Sequence, residues 1–438
     1  MNHFIKFSYI FSGFMLLTPH WAVADELVLT VHQAVTQAVS ENPSLAAQGE
    51  HARSVRAIAP QVGSLPDPVL SLNALNLPVD GFSTTQENMT QLQLGISQKI
   101  PFPGKLALRE SVANLLADAA QYDTDELALY LVSRVKGSWW NIFYLDRSLE
   151  TIERNKVLLR QFIRIAETKY KVGKGLQQDV LLAQLEVSKL LDVGISLKAA
   201  RKKEEARLNA LMNRPASAAI KLPQKVNETI RALAQESVLA EQAMESRPLL
   251  FRQGKYIESA NRRVALAEKD YYPDFNLGAV YGLRSGINPV NHRSRADFSS
   301  VKLSTTLPFF TGTKQDHQLD QRKAELARSQ FSYQDAKEAV LAEVSQALAD
   351  YEKAREQGSL FKTGIIPQAQ QTVASMLAGY QVNKVDFLNL VRAQVTLYNY
   401  ETQYWKALAE AKQSLARLDA AIGVPVINIS TSEIFNHE

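Results

Sequence analysis

The chain has 438 residues, 21% of them charged and 8% aromatic, with a formal net charge of +4. Such a composition can bury a core, and a charge so small and diffuse, with no basic run or interleaved aromatic platform, argues against a nucleic-acid partner. There is no cysteine, so there is neither a disulfide framework nor a thiol on which to build a lipid anchor.

Lys6 leads into an apolar stretch from Phe7 to Leu17, and Ala22-Val23-Ala24 then offers a small-x-small cleavage site. Residues 1–24 therefore read as a signal peptide. The apolar run is too short for the roughly 20 residues of a spanning helix. Two strands are expected next, at about 69–77 and 91–99. Leu70, Leu72 and Ala74 face away from Ser71 and Asn73, and Leu92, Leu94 and Ile96 alternate with Gln91, Gln93, Gly95 and Ser97. A period of two with one apolar face and one small or polar face suits a strand between lipid and water. A half-buried sheet in a soluble protein gives the same alternation. The polar segment from Pro78 to Asn88 is of turn composition.

From Gly104 to Tyr170 there is no proline and one internal glycine, Gly137, while Leu129, Val132, Val135, Trp139, Ile142, Leu145, Leu149 and Ile152 recur at steps of three and four. That spacing marks one face of a helix over 104–170, a rod of roughly 100 Å at about 1.5 Å per residue. Gly173, Lys174 and Gly175 fall where it must reverse into a return helix over 177–213. Glycine's access to positive φ is a sufficient structural reason for their presence.

The chain then says nearly the same thing again. Tyr170 to Gln184 reads YKVGKGLQQDVLLAQ, and Tyr380 to Gln394, 210 positions later, reads YQVNKVDFLNLVRAQ. Asn42-Pro43 answers Arg247-Pro248, Pro66-Asp67 answers Pro273-Asp274, and Pro101-Phe102 answers Pro308-Phe309. A duplicated unit of about 207 residues thus fills the chain, with the first repeat over 25–225, the second over 226–425 and a tail over 426–438. The second copy predicts strands at about 274–284 and 299–307, a polar loop from Ser285 to Asp297, and helices over 314–380 and 385–422. Pro367 removes a backbone donor inside the third long helix and predicts a bend there. Asn383 stands where Gly173 stands in copy one, and asparagine also tolerates left-handed geometry. Four strands cannot close a membrane barrel, and unpaired edges are not tolerated in lipid, so the sheet must be shared between identical chains. Helical periodicity by itself would equally describe a periplasmic coiled-coil scaffold.

The order of signal, strand hairpin and long helical hairpin, all repeated, resembles the TolC family of outer-membrane efflux channels over essentially the whole mature chain. The most specific local match is Tyr170, Gly173 and the run Asp179 to Gln184. The junction from Ile100 to Lys105 is similar to the branch serving heavy-metal pumps of the Czc and Cus type. The resemblance implies a mainly α fold with a membrane β-barrel. In a homotrimer, twelve strands would cross the outer-membrane lipid and twelve helices would continue them as a periplasmic tube. It also implies a passive duct working with a periplasmic adaptor and an inner-membrane, proton-driven RND-type pump. The tip formed by Gly173, Lys174, Gly175, Asn383 and Lys384 would then meet the adaptor. Asp179 and Tyr380 match a pair whose hydrogen bond holds the type member shut, while Val385 replaces a positive partner near that bond. The two acidic constriction positions fall on Asn389 and Arg392. A ring of three arginines would repel cations, unless Arg392 turns aside to neutralise Asp386 or another carboxylate.

Catalysis finds no support. His32, His51, His292 and His317 are scattered, and there is no His-x-x-x-His, nucleophile elbow or phosphate-cradling loop. Neither a cofactor nor a bound metal is expected. Export of proteins, as in type I secretion, is the alternative within the same architecture, and a pore-less coiled coil is the alternative outside it.

Overall fold

The computed structural model describes residues 28–424. The expected signal peptide at 1–24 and tail at 426–438 lie outside the described residues. Each repeat opens with short helices: α1 Val31–Glu41, α2 Pro43–Arg56 and α3 Ile58–Gly63 in the first, α6 Glu236–Ser246 and α7 Pro248–Lys269 in the second. A strand hairpin follows in each, β1 Val69–Leu75 with β2 Gln91–Ile100, then β3 Phe275–Leu283 with β4 Phe298–Thr305. The long helices are α4 Lys105–Lys171 and α5 Gln177–Leu211, answered by α8 Gln315–Leu360, α9 Ile366–Gln381 and α10 Phe387–Ala421. No described helix is long and apolar enough to cross a membrane.

The two hairpins form one antiparallel sheet in the order β1-β2-β3-β4. Their registers are the same under the repeat: Val69 faces Ser97 in the first, and Asn276 faces Ser304, each 207 residues on, in the second. β1 ends at Leu75, short of the expected 77, because Asn76 turns left-handed at φ 53° and breaks the extended run. One sheet face carries Leu70, Leu72, Val301 and Leu303, with Leu72 79% and Val301 81% exposed. Both outer strands, β1 and β4, have a free edge.

Below the sheet the rods pack through their apolar stripes. Val135, Trp139, Ile142 and Phe143 of α4 meet Leu208 and Met212 at the end of α5, and Val340, Val344 and Leu348 of α8 meet Leu418 and Ile422 at the end of α10. The Trp139-Trp140 pair packs edge to face, with Phe143 bridging to Trp405. The repeats differ at their helix starts. Asn42 caps α2 with its own side chain, accepting from the Ser44 and Leu45 amides, and donates to the Leu211 carbonyl. Arg247 in the same place donates to the Ala420 carbonyl but has no acceptor to offer the amides, so Glu126 of α4 supplies one to Leu249. Arg247 is fully buried, forked onto Glu126 at 2.6–3.0 Å with Glu343 at 3.1 Å. That fork ties α4, α7, α8 and α10 into one knot.

The third long helix is not one continuous α-helix. A π turn, Phe361–Ile365, separates α8 from α9, and Pro367 lies in the first turn of α9. The wider turn accommodates the proline, while Thr363 Oγ1 donates to the Ser359 carbonyl. A π turn holds one extra residue, and the repeat shows it. Val135 and Val344, both fully buried, lie 209 apart, whereas Tyr170 and Tyr380 beyond the turn lie 210 apart.

Candidate functional site

The far ends of both helical hairpins are built alike. In copy one the Gly173 amide donates to Tyr170 O and the Lys174 amide to Lys169 O; in copy two the Asn383 amide donates to Tyr380 O and the Lys384 amide to Gly379 O. These paired bonds cap the helix carbonyls that have no partner further along, and they need one left-handed residue. Gly173 (φ 70°) and Asn383 (φ 62°) supply it.

A second pair of positions differs reciprocally. A Cβ on Gly175 would sit 2.8 Å from Lys169 Cβ and 3.2 Å from its backbone carbon; a Cβ on Gly379 would sit 2.5 Å from Val385. The contact takes one small and one larger residue in each copy, Gly175 against Lys169 and Val385 against Gly379. Only copy one therefore sends a long cation from the last turn of its rod.

Lys169 uses that freedom to cross to the other repeat. Its ammonium bonds the Tyr380 carbonyl and Asn383 Oδ1 and lies 4.2 Å from the Tyr380 ring centroid. Tyr380 is 5% exposed, rests on Phe387 at 5.0 Å, and its hydroxyl donates to Asp179 Oδ2 at a long 3.4 Å. Burial, reinforced by the Asp179 carboxylate, pushes the Tyr380 hydroxyl up to about 12. Phe162, Ala166, Val180 and Leu390 fill the core beneath. The structure thus joins Asp179, Tyr380 and Asn383, and adds Lys169, which the sequence reading passed over. Its signal was available one residue outside the repeated block, as the Lys169/Gly379 difference that mirrors Gly175/Val385.

Asn389 and Arg392 are exposed on α10, one turn apart, in line with Thr396 and Asn399 and opposite the buried Phe387, Leu390, Val391 and Gln394. The alternative in which Arg392 neutralises Asp386 is not what the chain adopts. No ion pair or hydrogen bond to Arg392 occurs among the described residues, and six residues along a helix place the two side chains on different faces. Asp386 instead occupies the N-cap of α10 and accepts there through its carbonyl. Among the described residues no group of three or more His, Cys, Asp or Glu is placed to hold a metal ion.

Comparison with known proteins matches the repeats one by one. A family model described as outer membrane efflux protein matches residues 34–214 and 239–424. A search of curated protein sequences finds no match. Among solved structures, the chain is similar to the outer-membrane channel OprN, at 17% identity and a TM-score of 0.75, covering 90% of each chain. It is equally similar to VceC, an outer membrane protein of Vibrio cholerae, at 18% identity and 0.75, covering 90% of this chain and 96% of that one. CusC, described in relation to transmembrane channel formation, gives 16% identity and 0.75 over 91% and 92%.

Proposed function

This chain belongs to the outer membrane efflux protein family, and on that premise we propose that three copies form a passive export duct for heavy-metal cations. The family reading sets aside the pore-less coiled coil: the chain is an outer-membrane efflux channel component, not an enzyme. The observation that carries the trimer is the open sheet. Its leucine face is exposed and both edges are unpaired, and a strand edge left open in hydrocarbon costs several kcal/mol per unsatisfied group. Closure by identical chains removes every edge and places the long helices as a tube beneath.

In this proposal the tip residues Gly173, Lys174, Gly175, Asn383 and Lys384 present the surface gripped by a periplasmic adaptor, and an inner-membrane RND-type pump supplies the energy. Asp179 and Tyr380 hold the tube's end closed, with Asp386, Asn389 and Arg392 at or beside the constriction. Support for metal cargo is the junction from Ile100 to Lys105; OprN, VceC and CusC share the fold at equal TM-scores and do not favour one cargo over another. The deciding experiment has two arms. Protein extracted from outer membranes should conduct in planar bilayers, and a water-soluble, non-conducting product overturns the duct. A deletion strain should become sensitive to divalent heavy metals; sensitivity to organic drugs with unchanged metal tolerance overturns the cargo.

A further inference from the structure

The seam between the two repeats inside one chain is visible in full, and the repeat predicts its twin. Across β2 and β3, Leu94 faces Tyr281, Gly95 faces Val280, Ile96 faces Ala279 and Ser97 faces Gly278. At the foot of this seam Lys105 is buried against Asp274 at 3.0 Å and Asp270 at 3.1 Å, and donates to the Tyr272 carbonyl. Phe102 stacks on Tyr272 at 4.6 Å, and lower down Tyr122 of α4 stacks on Phe251 of α7 at 5.5 Å.

Five of these groups, Lys105, Asp274, Phe102, Tyr272 and Tyr122, have counterparts at the two outer ends of the chain, and there the counterparts stand apart. Asp67 and Lys314, the equivalents of Asp274 and Lys105, are exposed and make no ion pair among the described residues. Phe309, equivalent to Phe102, is 79% exposed, and Leu65, equivalent to Tyr272, is 52% exposed. Phe331, equivalent to Tyr122, is 75% exposed on α8. A charge of each sign and three apolar groups await partners on opposite sides of one molecule. That is the pattern of a head-to-tail contact between copies, which closes into a ring when the rotation allows.

We propose that β4 of one chain pairs antiparallel with β1 of a second copy in the register of β2 with β3, and that Lys314 seals this seam on the neighbour's Asp67. This rests on the trimeric reading above and gives it residues. Moving each internal pair by 207 positions sets Leu303 opposite Leu72, Val301 opposite Ala74, Lys302 opposite Asn73 and Ser304 opposite Ser71. At these four positions each apolar residue meets an apolar one and each polar residue a polar one, while towards the strand ends Thr305 comes opposite Leu70 and Ser300 opposite Leu75. A slip of one position would set Leu303 against a residue of the opposite face. Lys314 meets one carboxylate rather than two, because Gly63 stands where Asp270 stands in the inner seam. The outer seam is therefore the weaker, and separates first on heating.

The test uses the absence of native cysteine. Directly opposed residues on neighbouring strands lie about 4.5–5.5 Å apart at Cα, within disulfide reach, whereas diagonal ones lie about 7–8 Å apart. Asn73→Cys with Lys302→Cys, oxidised in intact outer membranes, should give reducible dimers and trimers on denaturing gels. Asn73→Cys with Ser300→Cys should give far less. Asp67→Lys alone should lower the temperature at which the trimer dissociates, and adding Lys314→Asp should restore it. A trimer that cross-links only through the diagonal pair, or not at all, overturns this register and leaves the duct standing. A charge reversal that the second reversal does not rescue overturns the Lys314 contact. A protein that is never trimeric overturns both readings together.

Discussion

Gly175 and Val385 occupy the same place in two copies of one turn, and each fits only because its opposite number, Lys169 or Gly379, is of the other size. Gly175→Val should therefore drive its side chain into Lys169 and cost about 1–3 kcal/mol, as overpacking does. Adding Lys169→Gly rebuilds the second copy's solution and should recover most of that loss in thermal unfolding, while removing the bridge to Tyr380 and Asn383. A double variant no more stable than the single one would show that the turn is not governed by this contact. The Tyr380 hydroxyl allows a sharper check. Its folded pKa of about 12 lies above the ordinary value of 10, so the stability it contributes is fully present below about pH 10 and is lost as pH rises through about 12. The phenolate absorbance of the native protein minus that of Tyr380→Phe should titrate near pH 12, and a midpoint near 10 would mean the ring is not buried against Asp179. At this scale much was readable from residue types: left-handed geometry at position 383 follows from asparagine replacing glycine in an aligned block. Lys169 was readable only as a difference from Gly379 in the aligned repeat, because nothing in its own helix reveals which element of the other repeat its ammonium will reach.

Among the elements, the π turn Phe361–Ile365 sets the phase of everything beyond it. One residue turns a helix by about 100°, so the inserted residue decides which side of α9 presents Tyr380 to Asp179. Deleting Gly364 together with Pro367→Ala should restore a continuous α-helix and rotate α9 out of register. The tip would lose the Lys169 and Asp179 contacts, and bilayer recordings should show a larger or more frequently open conductance. Unchanged conductance would mean that the tip does not depend on helix phase. Proline marked the place in the sequence, but a missing donor is compatible with a kink, a break or a wider turn. The change in repeat spacing from 209 to 210 is the signal that selects the third. The Arg247 fork is the other joint between elements, and it answers to burial rather than helix phase. Arg247→Met leaves Glu126 buried without a counter-charge and should cost about 3–5 kcal/mol. Arg247→Met with Glu126→Leu should recover a large part of it, measured as the temperature at which the folded form disappears. The repeat pointed to position 247 through its proline, yet it gave no hint that Glu126 of α4 would take over the cap that Asn42 makes for itself.

For the whole molecule, a duct without an energy source has one property of its own to regulate, which is what passes its narrowest point. The polar line of Asn389, Arg392, Thr396 and Asn399 on α10 is exposed in the single chain while the opposite face is packed. If three copies turn that line inward, three Arg392 side chains without carboxylate partners surround the axis near the tip. Their positive field lowers cation entry into the resting tube and is screened beyond about 10 Å at 0.1 M salt. Such a ring would oppose leakage of cations through the resting channel until the tip is drawn apart and the ring widens. Arg392→Asp should then shift the reversal potential in a salt gradient towards cation selectivity, with Arg392→Gln intermediate and both effects shrinking as salt rises. Reversal potentials identical in all three proteins would place Arg392 away from the pore axis and remove the constriction from α10. The exposure of this line could be anticipated from helical spacing. Its orientation towards an axis is set by packing against neighbouring chains, which the spacing within one helix does not encode.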